Sequence, residues 1–293
     1  MYSKEIGEKD VDYYFETLKK KYIDIVRNNF IIMQTNDPLN KQACEDLMDV
    51  FKKMKINSFY KFKSLASEYT IPNLENNVFH FSLISQLNDP FEYSYKINTE
   101  EERRKRIEIL KYIKFIEEPL EQELESWINT DAYKIMNAIR EYTLVYSLTT
   151  SFDNAPMWAA YANDYDGVCI EYDAIDIFVK YNWRLTPIEY TEMIPRSDYS
   201  IGQNEMLQFI HRTCIAKNNK WRNEDEWRIT YIQYSDKKKE RNDIIKPKSI
   251  IMGNKVSEEN RKKLFRICAS KDIKLYVIDV DSASYQLVRK QIN

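Results

Sequence analysis

The chain has 293 residues, 43% hydrophobic and 31% charged, enough for one large or two small globular domains with a real core. Its 44 Lys and Arg against 46 Asp and Glu leave a net charge of −2, which argues against a bulk electrostatic grip on nucleic acid or anionic lipid. Four scattered glycines exclude Walker and dinucleotide-fingerprint loops, two distant histidines exclude an HExxH zinc site, and no apolar run is long enough to cross a membrane.

The N-terminus lacks the apolar stretch of a signal peptide, so a cytoplasmic location is expected. Residues 1–57 read as a helical extension. Tyr14, Leu18, Tyr22, Ile25 and Phe30 recur at helical spacing, and Asp37-Pro38 opens a second helix that runs through Phe51. Such a hairpin would pack on the domain, on a partner or on a second copy. Residues 58–293 read as one α+β domain, with a mixed or antiparallel sheet core and added helices.

Ser58–Ser64 and Val78–Ser82 read as strands, with His80 as a core histidine. Asn88-Asp89-Pro90 is a turn signature, and it carries Asp89 and Glu92. Asp89 either caps local N–H groups or helps build a cleft. Residues 99–140 read as helical, with Thr99 and Glu102 as a capping box and the charge run 101–108 as a solvated face. Tyr142–Leu148 alternates as a half-buried strand that turns Thr143, Val145, Ser147 and Thr149 to one side. Asn154 then caps a short helix on which Trp158, Tyr161 and Ala162 share a face, and Asp166-Gly167 turns into the strand Val168–Asp173. Trp183–Tyr190 suggests a strand, 203–217 a helix and the lysine-rich stretch 235–248 a loop. Lys248–Met252 is a strand, Ser257–Ser270 a helix capped by Ser257, and Leu275–Val280 a last strand. The cysteines, Cys44, Cys169, Cys214 and Cys268, have no CxxC spacing and predict reduced, mostly buried thiols.

Chemistry concentrates at Glu224-Asp225-Glu226-Trp227-Arg228. Read as a strand, it puts Glu224, Glu226, Arg228 and Thr230 on one face and Trp227, Ile229 and Tyr231 on the other. Two carboxylates two residues apart can divide labour as hydrogen-bond acceptor and general base. An edge strand with a surface Glu/Arg ladder has the same spacing. The Ser147/Thr149 face could hold sugar or phosphate oxygens, and threonine is also simply a good strand residue.

The motifs NDPFE, MWAAYANDYDGVCIEYD and Lys217-xxx-Trp221-xx-Glu224-x-Glu226-Trp227-Arg228 occur in that order, followed by PKSIIMG. Together they resemble the bacterial domain-of-unknown-function family 2971, from about Phe59 to Val280. The chain also resembles, more distantly, the ADP-ribosyltransferase superfamily: a basic opening strand, a later Ser/Thr strand and a final Glu-x-Glu. That resemblance implies an NAD-using enzyme in a toxin or anti-phage setting, with a nucleotide substrate and a macromolecular acceptor. Carried over by position, Glu226 would be the catalytic carboxylate and Glu224 would position the acceptor. Lys61 would contact the pyrophosphate, and Ser147 and Thr149 would shape the nicotinamide pocket. Lys61 stands where the superfamily has Arg or His, and Ser147-Leu148-Thr149 where it has Ser-Thr-Ser. Trp158, Tyr161 and Trp221 are candidate stacking partners for the ligand rings. This chemistry needs no metal, and none is expected. Two alternatives are a metal-dependent nuclease on Asp89, Glu92, Glu224 and Glu226, and a non-catalytic ligand-sensing or partner-binding protein.

Overall fold

The computed structural model describes residues 8–29, 33, 38–97, 134, 136–197, 203–232 and 240–293. Phe30, Asp37, Thr99, Glu102 and the charge run 101–108 lie outside them. Two helices open the chain, α1 (Glu8–Asn28) and α2 (Pro38–Met54). Leu18, Tyr22 and Val26 make one buried seam of α1 at four-residue spacing, and Leu47, Val50, Phe51 and Met54 face it from α2. These residues share one core with Phe59, Phe178 and Trp227 from the rest of the chain. The hairpin is therefore packed as a layer of the main body.

Strand β1 (Ser58–Ser64) has the bounds its alternation predicts; α3 (Thr70–Glu75), β2 (Val78–His80), β3 (Ser82–Leu83) and β4 (Lys96–Ile97) follow. Residues 136–142 are helical and lead into β5 (Leu144–Thr149). Next come α4 (Ala155–Tyr161), β6 (Gly167–Asp173), α5 (Ala174–Tyr181), β7 (Leu185–Pro187), β8 (Glu189–Thr191) and β9 (Arg196–Ser197). Then α6 (Gln203–Ile215) runs into β10 (Ala216–Asn218), a 3₁₀ turn (Asn219–Glu224) and β11 (Glu226–Tyr231). The chain closes with β12 (Asn242–Ile244), β13 (Ser249–Met252), α7 (Glu258–Lys271), β14 (Lys274–Val280) and β15 (Leu287–Gln291). The caps expected at Asn154 and Ser257 form, accepting from the Met157 and Asn260 N–H groups.

The main sheet runs β15-β14-β13-β6-β1-β5-β11-β7, with β3 also beside β5. Only β13 and β14 pair in parallel within it, so the architecture is α+β on a mixed, mostly antiparallel sheet. Helices α1, α2, α5 and α7 cover one face through the large core. On the other face Trp158 of α4 and Phe209, Ile210 and Cys214 of α6 anchor two smaller clusters.

One edge of β5 is shared. β3 pairs with it at Leu144 and Val145, and β1 meets it only at Thr149, opposite Tyr60. Between these points β5 has no strand partner on that side, and the Lys61 Nζ donates to the Ser147 carbonyl at 2.8 Å. A side chain thus takes the place of a ladder bond.

Several expectations are corrected. His80 is exposed and its Nδ1 contacts Asn242 Oδ1 at 2.8 Å, because Phe79 and Phe81 take the inward positions of that strand. Part of the expected loop 235–248 is a strand, β12, paired with β2. The stretch Trp183–Tyr190 divides into β7, in the main sheet, and β8, which pairs with β10. β15 adds a strand after Leu275–Val280; its half-exposed edge position gave it no apolar alternation. All four cysteines are free thiols, three of them buried.

Asn163, Asp164 and Tyr165 are all left-handed, with φ of 48°, 51° and 69°. This turn brings two glycines together, and the Gly253 N–H donates to the Gly167 carbonyl at 2.8 Å. A Cβ on Gly253 would overlap the Tyr165 carbonyl, and one on Gly167 would stand 2.5 Å from the Lys63 carbonyl. Gly253→Ala is expected to cost about 1–3 kcal/mol in urea denaturation, because backbone has to move; an unchanged midpoint would show that the turn yields freely.

Candidate functional site

The site begins with the two faces of β11. Trp227 is fully buried against Tyr22, Phe51 and Phe59, with ring centroids 5.3, 5.9 and 5.4 Å away. That packing fixes the strand's register and turns Glu226 and Arg228 to the opposite face. There they are buried too. The polar face therefore lines a cleft and is no surface ladder.

Glu224 reaches the cleft by another route. The strand starts at Glu226; Glu224 ends the 3₁₀ turn, and Asp225 between them is left-handed, with φ 42° and ψ 50°. The Asp225 carboxylate accepts from Thr150 and from Lys19 of α1, which ties the turn to the N-terminal helix. Tyr22 adds a buried bond to the Leu185 carbonyl at 2.7 Å.

Five buried charged groups form the floor. Lys217, from β10, donates to Glu224 at 2.5 Å and Glu226 at 2.8 Å, and stands 3.7 Å from Glu92. Arg228 holds Glu92 in a two-pronged pair at 2.9 and 3.0 Å. It reaches Glu226 through Nε at 3.0 Å and Nη2 at 2.9 Å, and donates to the Cys214 carbonyl at 2.8 Å. Every guanidinium donor direction is thus used. Burial alone would raise the Glu226 carboxyl; Arg228, then Lys217 and the Lys217 and Ser147 hydrogen bonds, outweigh it and hold the group at about 2. Burial likewise disfavours the Lys217 and Arg228 charges, but the carboxylates, Glu226 foremost, leave both cations more firmly protonated than usual.

Above this floor lies a pocket of about 100 Å³, walled by Tyr60, Phe62, Leu87, Leu148, Met157 and Tyr161. Tyr161 donates to Glu224 at 2.5 Å and accepts from Asn88 at 3.2 Å. Its phenol is pushed up to about 12, by burial first and by the bond to Glu224 next. The Lys61 amine is brought down to about 7, by burial first and then by Lys63, with Lys217 adding and Glu226 and Glu224 opposing. The Lys61 ammonium also sits 4.8 Å from the Tyr146 ring centre.

Of the residues singled out in the sequence, Lys61, Glu92, Ser147, Tyr161, Glu224, Glu226 and Arg228 all line this pocket. Four others do not. Trp158 is fully buried, its ring stacked on Tyr165 at 5.7 Å and its indole N–H bonded to the Phe152 carbonyl at 2.7 Å, so it offers no ligand face. Thr149 is buried, and its hydroxyl accepts from the Ser151 N–H. Trp221 lies behind the Lys217 ammonium, 5.1 Å from its ring centre. Asp89 accepts from the Phe91 N–H at 3.0 Å and shapes the turn that aims Glu92. The principal omission is Lys217. It stands in the Lys-xxx-Trp motif, but its place between Glu224 and Glu226 depends on β10 packing against β8.

A family model described as Protein of unknown function (DUF2971) matches residues 157–229. That span contains Tyr161, Lys217, Glu224, Glu226 and Arg228; Lys61, Glu92 and Ser147 lie before it. No curated protein and no solved structure matches the chain.

Since Glu226 titrates lower in the fold than its ordinary 4.5, its ion pairs stabilise fully above that value and are lost as pH falls toward about 2. Urea midpoints taken at about pH 5 and about pH 3 should fall together for the native chain and less for Glu226→Gln. Equal slopes would place the acid-sensitive group elsewhere.

Proposed function

We propose that the chain is an ADP-ribosyltransferase-like enzyme that uses NAD. The observation that carries this reading is the convergence of Lys61, Ser147 and Glu226. They come from the adjacent strands β1, β5 and β11 and line one pocket. Those are the three positions that the superfamily resemblance assigns to pyrophosphate contact, nicotinamide pocket and catalytic carboxylate.

The chemistry follows from the floor's charge. Three carboxylates, Glu92, Glu224 and Glu226, face two cations, Lys217 and Arg228, which leaves one formal negative charge in excess. Breaking the bond between nicotinamide and ribose C1′ sends both electrons to the nicotinamide and leaves positive charge on the ribose. A fixed, ionised carboxylate opposite that charge lowers the barrier. Ser147 is a neutral neighbour that helps keep Glu226 ionised, and a ribose hydroxyl can take its part while both cations stay in place. Glu224, oriented by Tyr161, positions the incoming acceptor. The pocket's apolar walls suit a nicotinamide ring, but at about 100 Å³ it is smaller than the cavity of about 150 Å³ that holds benzene, so the walls have to part to admit one.

The nuclease reading loses ground here. Lys217 and Arg228 already fill the space between the carboxylates, and among the described residues no group of three His, Cys, Asp or Glu is arranged to hold a metal ion. The closed ion network favours, as a second reading, a pocket that binds a ligand without cleaving it.

The deciding experiment follows nicotinamide release from NAD by the purified chain. Glu226→Gln should lower the rate by about 10²–10³-fold while circular dichroism shows it folded. Absence of both release and calorimetric NAD binding would sink the reading; binding without release would leave the binding-only role. Because Lys61 titrates near 7, it is cationic below that pH and neutral above it. NAD affinity should therefore weaken as pH rises through about 7, and Lys61→Met should flatten that dependence. A pH profile unaltered by Lys61→Met would remove Lys61 from the binding site.

A further inference from the structure

A pocket of about 100 Å³ leaves most of a dinucleotide unaccounted for. A second cavity, of about 710 Å³, begins where the first ends. The two are lined by consecutive residues in three segments: Phe62 and Lys63 on β1, Gln86 and Leu87 in the turn after β3, Tyr146 and Ser147 on β5. The smaller cavity is lined by successive residues of both strands, Tyr60, Lys61 and Phe62 on β1 and Ser147 and Leu148 on β5, so it reaches both sides of the gap between them. The two meet at the stretch of β5 edge left between β3 and β1, where Lys61 holds the Ser147 carbonyl.

Lys61 and Lys63 lie two residues apart on β1, one lining each cavity. Among the described residues neither is paired with a carboxylate, while the five charges of the floor are paired with one another. Both amines are held below their usual range, chiefly by burial. Two cations flanking a gap in a sheet, neither of them held in an ion pair, suit a dianionic linker. Beyond them the larger cavity has the volume of a ligand site, which is typically about 300–1,000 Å³. Its floor is apolar, with Leu74, Ile170 and Tyr172, and side-chain amides of Asn73, Asn77 and Asn242 stand around it. Amides on an apolar floor recognise the edge of a nucleobase by paired hydrogen bonds.

We propose that the larger cavity is the second half of a dinucleotide site: Lys61 and Lys63 take the pyrophosphate at the gap in the sheet, and the cavity takes the adenosine. This inference rests on the proposed use of NAD and adds Lys63, Asn73 and Asn77 to the substrate contacts. To admit the linker, the Lys61 ammonium leaves the Ser147 carbonyl and turns to phosphate.

Calorimetry with ADP tests the site without any bond being cleaved. ADP should bind the native chain, and Lys63→Met should weaken it at least tenfold. Asn77→Gly keeps the left-handed backbone of Asn77, φ 53°, and should weaken ADP and adenosine alike. Absence of ADP binding, or binding that Lys63→Met and Asn77→Gly leave unchanged, would overturn the inference even if nicotinamide release is observed. ADP binding lost in both variants, with no nicotinamide release from NAD, would uphold the cavity as a nucleotide site and overturn the transferase reading alone.

Discussion

The ion network of Glu92, Lys217, Glu224, Glu226 and Arg228 is the constraint from which the rest of the site follows. All five are buried, drawn from the turn at 88–92, from β10, from the 3₁₀ turn and from β11. Removing so many charges from water is costly, and their mutual attraction offsets that cost only when every partner is in place. Each segment therefore has one acceptable position. The apolar side of β11 fixes the register from below through Trp227, and the charges fix the approach of the other three segments from above. A hydrophobic cluster would tolerate sliding; a buried guanidinium with all its donors used does not.

Much of this was legible in the sequence where local periodicity and burial agree. β1 was read with its observed bounds and β6 to within one residue, and the opening helices from spacing at three and four. The Glu224-x-Glu226-x-Arg228 pattern marked residues that line the pocket and gave their geometry only in part, because a left-handed Asp225 replaces the first strand residue. A surface ladder and a buried cleft have the same spacing in a strand. What separates them is the cover supplied by α4, by the 88–92 turn and by Lys217, none of which is local to β11. Trp158 shows the opposite failure. Its helix face was read correctly, yet Tyr165 and Phe152 occupy the ring and the indole N–H, and that packing depends on a left-handed turn that no periodicity announces.

In the proposed reading, the interrupted edge of β5 is what joins the two cavities. A continuous ladder between β1 and β5 would place backbone where Lys61 now lies, closing the way between the two cavities. Leaving one carbonyl to a lysine keeps the sheet satisfied while the ligand is absent and leaves a contact that a ligand anion can compete for. The same lysine is the least firmly protonated cation of the pocket, so the competition is between a neutral hydrogen bond and a charged one.

The contact between Lys19 and Asp225 joins positions 206 residues apart. Lys19 therefore reaches its partner only after the chain between the two positions has been made. Closing so long a loop is entropically unfavourable until the intervening strands have paired. The order of synthesis and the order of assembly thus run in opposite senses: α1 is made before β11 and seated after it. β11, which carries Glu226 and Arg228, can be held against β5 by its own ladder before α1 arrives. The turn at Asp225 gains its second tether when α1 docks, so a partly synthesised chain has the strands of the site without its finished geometry.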